Sequence, residues 1–293
     1  MSTPVKVAVI DLNKYTPNQS MRCIKQMLED VNGLFHGQLI DYYLFDARYK
    51  GEIPSMNYDI YLSTGGPGSP YDGEGEAWED EYFKLMHNIW NYNKGNHESK
   101  KYVFFICHSF QLMNRVFELT KVTKRYSTSF GITFVHKTEE GKKEPCFEGL
   151  ADDFYVADFR DWQCVQPDMK RFSELGAKIL TMEKSRPHLN FEQAITAIRL
   201  SDEMIGTQFH PEADSKGMLF HFQNPERRKL VIEQYGEEKY NDIIAHLEDP
   251  EKINLTHKTV IPTFLRNAVY KLRQEEIELK KAKGEIPNDT PLR

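Results

Sequence analysis

The sequence predicts an α/β fold: a doubly wound, mostly parallel central sheet with flanking helices, followed by a C-terminal helical extension. Three observations predict it. VKVAVIDL (5–12) is an almost continuous apolar run, the pattern of a strand buried on both faces of a parallel sheet, and further strand-like runs recur at 39–46, 59–64 and 101–107. Stretches with helical spacing separate these runs, and strands joined by helices form parallel, doubly wound sheets. After Pro211 the chain turns helical and stays so to its end.

Each element has its own signal. VKVAVIDL (5–12) is the first strand. TPNQ (16–19) opens a helix: Thr16 suits the N-cap, Pro17 the first turn, and Gln19 completes a capping-box spacing. Met21, Ile24, Met27 and Leu28 then recur at helical spacing. LIDYYLFD (39–46) and DIYLST (59–64) read as the next strands, and WEDEYFKLMHNIW (78–90) as a helix. KYVFFIC (101–107) is a strand that turns at once into the helix HSFQLMNRVFEL (108–119), with Leu112, Met113, Val116 and Phe117 as its buried stripe. Strand-like segments with short links follow at 131–138, 154–160, 177–183, 194–200 and 204–210, the last two joined by the hairpin turn LSDEM. Beyond Pro211, one amphipathic face carries Tyr240, Ile243, Ile244 and Leu247. A second carries Phe264, Leu265, Ala268, Val269 and Leu272.

Composition narrows the function classes. At 293 residues, with 40% hydrophobic and 28% charged, the chain can bury a sizeable core. A net charge of −6 argues against nucleic acid, which calls for a basic face. No early apolar run is long enough for a signal peptide or a membrane span, so the cytoplasm is the expected location. Cys23, Cys107, Cys146 and Cys164 are widely and irregularly spaced. That spacing points to neither a zinc site nor a disulfide framework, and no metal or organic cofactor is expected.

Three stretches carry chemistry-bearing residues. In FFICHSF (104–110), a strand delivers Cys107 to the carboxyl edge of the sheet, where ligands bind in open α/β folds. The helix that starts there favours a thiolate. A packed core thiol stays open on this stretch alone. STGGPGSP (63–70) follows a strand, and Gly65, Gly66 and Gly68 let the backbone approach a ligand and aim N–H groups at an oxyanion. A plain Gly/Pro turn is the bland alternative. In GTQFHPEAD (206–214), a strand delivers His210, and Glu212 two residues later can orient the imidazole. The bland alternative is an exposed His beside an exposed Glu. Together, nucleophile, backbone donors and a base–carboxylate pair make the set for acyl transfer through a thioester.

In this order the stretches resemble the class I (triad) glutamine amidotransferases, whose fold is flavodoxin-like. The matching pieces are STGGPGSP, FICHSFQ, QAITAIRLSDEMIGTQFHPE (193–212) and FGITFVHKTEEG (130–141). The resemblance covers about residues 5–215. It gives residues 1–215 as an amidotransferase-like domain; the helical pattern gives 216–293 as an extension packed on the same domain, and the polar composition a frayed tail after about 284. The resemblance implies Cys107 as nucleophile, His210 as base and Glu212 as third member. It further implies an oxyanion hole from the N–H groups of Gly66 and His108, and a substrate pocket with Gly65 and Gln111. The implied reaction is hydrolysis of the side-chain amide of L-glutamine or a related γ-glutamyl amide. Ammonia then passes to a synthetase partner subunit in trans, or the enzyme stands alone as a γ-glutamyl peptide hydrolase. A catalytically silent binding or regulatory relative is a further alternative. The C-terminal helices can dock a partner, form a homodimer, cap the site, or simply complete the fold.

The chain departs from the family in three places. The family's elbow reads G-x-C-x-G, whereas Phe105 and Ser109 flank Cys107 here. Ser109-Phe110-Gln111 stands where Gly-His-Gln is usual. VADFRDWQCVQP (156–167) replaces a His-containing strand and offers Asp158, Arg160, Asp161 and Trp162. There Asp and Arg form a surface ion pair, or Arg160 recognises a carboxylate of the substrate.

Overall fold

The computed structural model describes residues 3–14, 19–34, 39–185, 192–249 and 251–287. In chain order the elements are β1 (Val5–Asp11), α1 (Ser20–Leu34), β2 (Ile40–Asp46), α2 (Ala47–Lys50), β3 (Ile60–Ser63), α3 (Ala77–Lys94), β4 (Tyr102–Ile106) and α4 (His108–Val116). Then come β5 (Lys121–Lys137), β6 (Asp153–Val165), α5 (Met169–Leu175), β7 (Lys178–Glu183), β8 (Ile195–Arg199) and β9 (Met204–Thr207). The chain closes with α6 (Ser215–Gln223), α7 (Pro225–Tyr235), α8 (Glu237–Glu248) and α9 (Ile253–Ala282). The expected cap at Thr16 and Pro17 lies outside the described residues.

The described strands form one sheet in the order β2-β1-β3-β4-β9-β8-β6-β5-β7. Strands β2, β1, β3, β4 and β9 pair in parallel. All pairings among β9, β8, β6, β5 and β7 are antiparallel. The sheet is therefore mixed, not mostly parallel. The reason is connection length: a tight turn can join only antiparallel neighbours. The turn between β8 and β9 is such a link, closed by Leu200 N–H donating to the Met204 carbonyl at 2.8 Å. Because β7 also pairs with β8, strands β8, β6, β5 and β7 close on one another as a ring. Strand β5 also begins ten residues earlier than the apolar pattern of 131–138 implies. Its first part, KVTKRYSTS, is polar, and its pairing with β6 rather than burial makes it a strand.

Alternate residues of β1 explain the double winding. Val7 and Val9 face a core shared with Ile24 and Met27 of α1 and with Phe264, Leu265 and Val269 of α9. Ala8 and Ile10 face the other core, with Tyr82 and Met86 of α3 and Phe110 and Met113 of α4. The ring of Phe264 meets Phe104 edge-on at 5.2 Å between centroids. Burying each such side chain contributes roughly 1.5–3 kcal/mol, so α9 completes one face of the sheet rather than projecting from it. Helices α6, α7 and α8 pack through Phe222, Val231, Tyr240, Ile243 and Leu247 against Ile132 of β5 and Ala157 of β6. That packing brings α6 beside the carboxyl ends of β4 and β9.

Candidate active site

Strand β4 ends at Ile106, and Cys107 turns the chain into α4 with φ 49° and ψ −98°. A non-glycine residue in this region stores roughly 1–3 kcal/mol of strain, so the surroundings must hold it. Cys107 N–H donates to the Thr207 carbonyl at 2.7 Å, and its own carbonyl accepts from Gln111 N–H at 3.1 Å. Ser109 Oγ accepts from Ile106 N–H at 2.7 Å and donates to the Ser63 carbonyl at 2.7 Å. The hydroxyl thus ties the elbow to the end of β3. Phe105, fully buried, points into the core with Phe110. Space for both comes from Gly206 on β9. A Cβ there would lie 2.8 Å from the Phe110 ring and 3.1 Å from Phe105 Cβ.

His210 follows β9, its N–H held by the Ala157 carbonyl of β6 at 2.9 Å. Its Nδ1 bonds Glu212 Oε1 at 2.8 Å, and that same oxygen accepts from Ser20 Oγ, also at 2.8 Å. Burial alone would lower the imidazole's pKa. The charges of Cys107 and Glu212, with hydrogen bonds to both, outweigh it and hold His210 well above its ordinary value. Burial would raise the Glu212 carboxyl, yet the His210 charge and the bonds from His210 and Ser20 hold it below the usual range. Gln208 Nε2 approaches Cys107 Sγ at 3.7 Å, and Gln208 Oε1 accepts from Gln111 Nε2 at 3.2 Å.

The glycine loop lies against this group. A Cβ on Gly65 would sit 2.8 Å from His210 Cε1 and 3.5 Å from Cys107 Cβ, and one on Gly66 only 2.2 Å from the Leu12 carbonyl oxygen. Against fixed backbone only glycine fits at 66, and a side chain at 65 would push the His210 ring. Arg48 clamps the loop by donating to the Pro67 carbonyl at 2.6 Å and the Leu12 carbonyl at 3.2 Å. The His108 side chain is buried and far from protonation: desolvation, with Arg48 and Arg115 nearby, pushes its pKa down to about 3. The other cysteines behave as core thiols, since burial pushes Cys23 and Cys164 up to about 12 and raises Cys146 as well.

A cavity of about 410 Å³ opens beside Cys107, Gly65, Gly66, His210 and Glu212. Gln111 and Arg160 do not line it. Gln111 reaches the cavity residue Cys107 only through Gln208, two hydrogen bonds away. Arg160 is buried rather than at the surface, 3.0 Å from Asp158 and 3.3 Å from Glu183, with Nη1 donating to the Trp162 carbonyl. Sequence reasoning passed over Gln208, Ser20 and Arg48. Gln208 had a signal, two residues before His210 and directly after β9. Ser20 and Arg48 had none, because only the fold brings α1 and α2 to this edge. Among the described residues no group of three or more His, Cys, Asp or Glu is placed to hold a metal, and no helix is long and apolar enough to cross a membrane.

A strained cysteine at a strand–helix turn, with a His–Glu pair delivered by the neighbouring parallel strand, defines a class of α/β protein that comparison with known families makes specific. The family model for class I glutamine amidotransferases matches residues 38–222, more than half of the sequence, and the chain belongs to that family. Solved structures share the fold. A glutamine amidotransferase from Thermotoga maritima aligns at 18% identity and TM-score 0.62, over 92% of this chain and 99% of its own. A glutamine amidotransferase from Methylobacillus flagellatus aligns at 15% and 0.58, over 90% and 94%. The glutaminase domain of CTPS from Trypanosoma brucei, with bound acivicin, aligns at 12% and 0.53, over 71% and 86%. No curated protein matches the chain by sequence.

Proposed function

We propose that the protein hydrolyses the side-chain amide of L-glutamine or a related γ-glutamyl amide through a thioester on Cys107. The observation that carries this reading is the His210–Glu212 bond of 2.8 Å beside a cysteine held at positive φ. Cys107 Sγ attacks the amide carbon. The N–H groups of Gly66 and His108 receive the oxyanion, each donor worth about 3–4 kcal/mol in the transition state. His210 gives its proton to the leaving nitrogen, then activates water against the thioester. Glu212 holds the imidazole in orientation and balances its charge. No resident metal or organic cofactor enters these steps.

Two fates of the leaving nitrogen remain open to test: ammonia handed to a synthetase subunit in trans, or release by a free-standing hydrolase of γ-glutamyl amides or peptides. Phe130, Phe159 and Phe222 in the cavity's lining favour the second, because ammonia gains nothing from apolar surface. The test is a panel of γ-glutamyl amides scored by ammonia or amine release, alongside labelling by a glutamine-mimic electrophile. The wild type turns over and is labelled at Cys107, and Cys107→Ala does neither. Absence of both in the wild type sinks the enzyme reading in favour of a silent, regulatory relative.

A further inference from the structure

We infer that the site takes γ-glutamyl amides whose amine carries an apolar group of about ring size, in preference to free glutamine. The inference rests on the cysteine-hydrolase reading above and names its substrate class. Three aromatic rings wall the cavity on the side of the imidazole: Phe130 from β5, Phe159 from β6 and Phe222 from α6. Their centroids lie 5.1 Å (Phe130–Phe159), 5.9 Å (Phe130–Phe222) and 6.0 Å (Phe159–Phe222) apart, and Phe159 lies 6.5 Å from the His210 ring. Met218, one helical turn before Phe222, continues the same wall.

The chemistry gives this wall its meaning. When the C–N bond breaks, the leaving nitrogen must lie against His210 to collect its proton. Whatever hangs on that nitrogen is then next to Phe159. For glutamine the leaving group is ammonia, which gains nothing from apolar surface. An amine bearing a hydrophobic ring fills the space, buries carbon against carbon, and adds ring–ring contact. The cavity of about 410 Å³ falls within the range of pockets that enclose whole organic ligands, roughly 300–1,000 Å³. Both carboxylates on this side are already engaged, Glu212 by His210 and Ser20 and Asp214 by Arg22 and Gly217 N–H, so neither sets a requirement for a cationic amine. The balance is simple. Cys107 Sγ bonds the carbonyl carbon of the side-chain amide, the C–N bond at that carbon breaks, the thiol proton reaches the nitrogen through His210, and the amine departs. Water cleaves the thioester to give glutamate and restores the thiol.

The experiment compares kcat/KM for γ-glutamylbenzylamide, γ-glutamylmethylamide and L-glutamine. The benzyl compound is expected to lead by about tenfold or more, the discrimination an apolar pocket gives for added carbon. Phe222→Ala is expected to narrow that lead by lowering turnover of the benzyl amide more than that of glutamine. Met218→Ala, at a partly exposed position, serves the same purpose if Phe222→Ala does not fold. Equal or better use of glutamine by the wild type overturns the inference and leaves the cysteine hydrolase standing. No turnover of any amide, with no labelling of Cys107, overturns both.

Discussion

Phe105 and Gly206 lie side by side in register on β4 and β9, and the missing side chain of the glycine is the space in which the elbow's phenylalanines sit. The family places a glycine two residues before the nucleophile; here the small residue stands on the neighbouring strand. Gly206→Ala would bring its Cβ to 2.8 Å from Phe110 and 3.1 Å from Phe105. Overpacking of this kind costs about 1–3 kcal/mol, read as a lowered urea midpoint. In a double-mutant cycle with Phe105→Ala, the two effects should be non-additive by about 0.5–3 kcal/mol. Strict additivity would show that the strands do not meet in this way.

Ser109 carries the other half of the elbow. Ser109→Ala strips a buried acceptor from Ile106 N–H and a donor from the Ser63 carbonyl. The expected loss is about 1–3 kcal/mol of stability. Because the same bonds hold Cys107 at φ 49°, kcat should fall in the fraction that remains folded. A stable variant with undiminished kcat would mean that the elbow turns without the hydroxyl.

How much of this was legible in the sequence depends on distance along the chain. The parallel strands β1, β3 and β4 were readable because burial on both faces writes continuous apolar runs. The early part of β5 was not, since a polar strand is made by its partner. Cys107, His210 and Glu212 stood out because each follows a strand, and the His–Glu pair is two residues apart. Ser20 reaches Glu212 across 192 positions and left no local trace. The burial of Arg160 left no local trace for a related reason: an Arg two residues from an Asp looks like a surface pair or a ligand, and nothing local announces Glu183 as its further partner.

The setting of Arg160 makes a definite prediction. Its guanidinium is buried between Asp158 and Glu183 and does not border the cavity. Arg160→Ala leaves the buried Asp158 carboxylate without its cation, while Glu183 keeps Arg125 at 2.8 Å; breaking a buried pair in this way costs about 3–5 kcal/mol. Thermal denaturation should show that loss. In protein that still folds, KM for the amide substrate should stay within about twofold. A large rise in KM with little loss of stability would return Arg160 to the role of a substrate ligand.

On the proposed reading Ser20 positions Glu212. Its hydroxyl bonds the same oxygen that receives His210, and that bond helps hold the carboxyl below its usual range. Ser20→Ala should let the Glu212 carboxyl rise. Glu212 then protonates earlier as the pH falls, so the acid limb of the kcat/KM profile moves to higher pH. Ser20→Thr, which keeps the hydroxyl, should restore the limb. An unmoved acid limb in Ser20→Ala would remove Ser20 from this role.

Two histidines near the elbow act on stability in different pH windows. The folded protein holds His108 down at about 3 by desolvation, with the Arg48 and Arg115 charges adding to it, whereas the unfolded chain protonates near 6.5. Below 6.5 the unfolded state therefore binds the extra proton, and stability falls as the pH drops from 6.5 toward 3, by up to about 1.4 kcal/mol per pH unit. His210 has the opposite sign. Held above its unfolded value by Cys107 and Glu212 against the effect of burial, it contributes fully below 6.5 and loses that contribution as the pH rises through its raised value. Between pH 6.5 and 5 the His210 term is flat and the His108 term is not. Urea midpoints taken every half unit across that window should slope downward toward acid in the wild type. In His108→Gln, which has no ring to protonate, the slope should be distinctly shallower. Parallel slopes would mean that the His108 ring takes up a proton without leaving the fold.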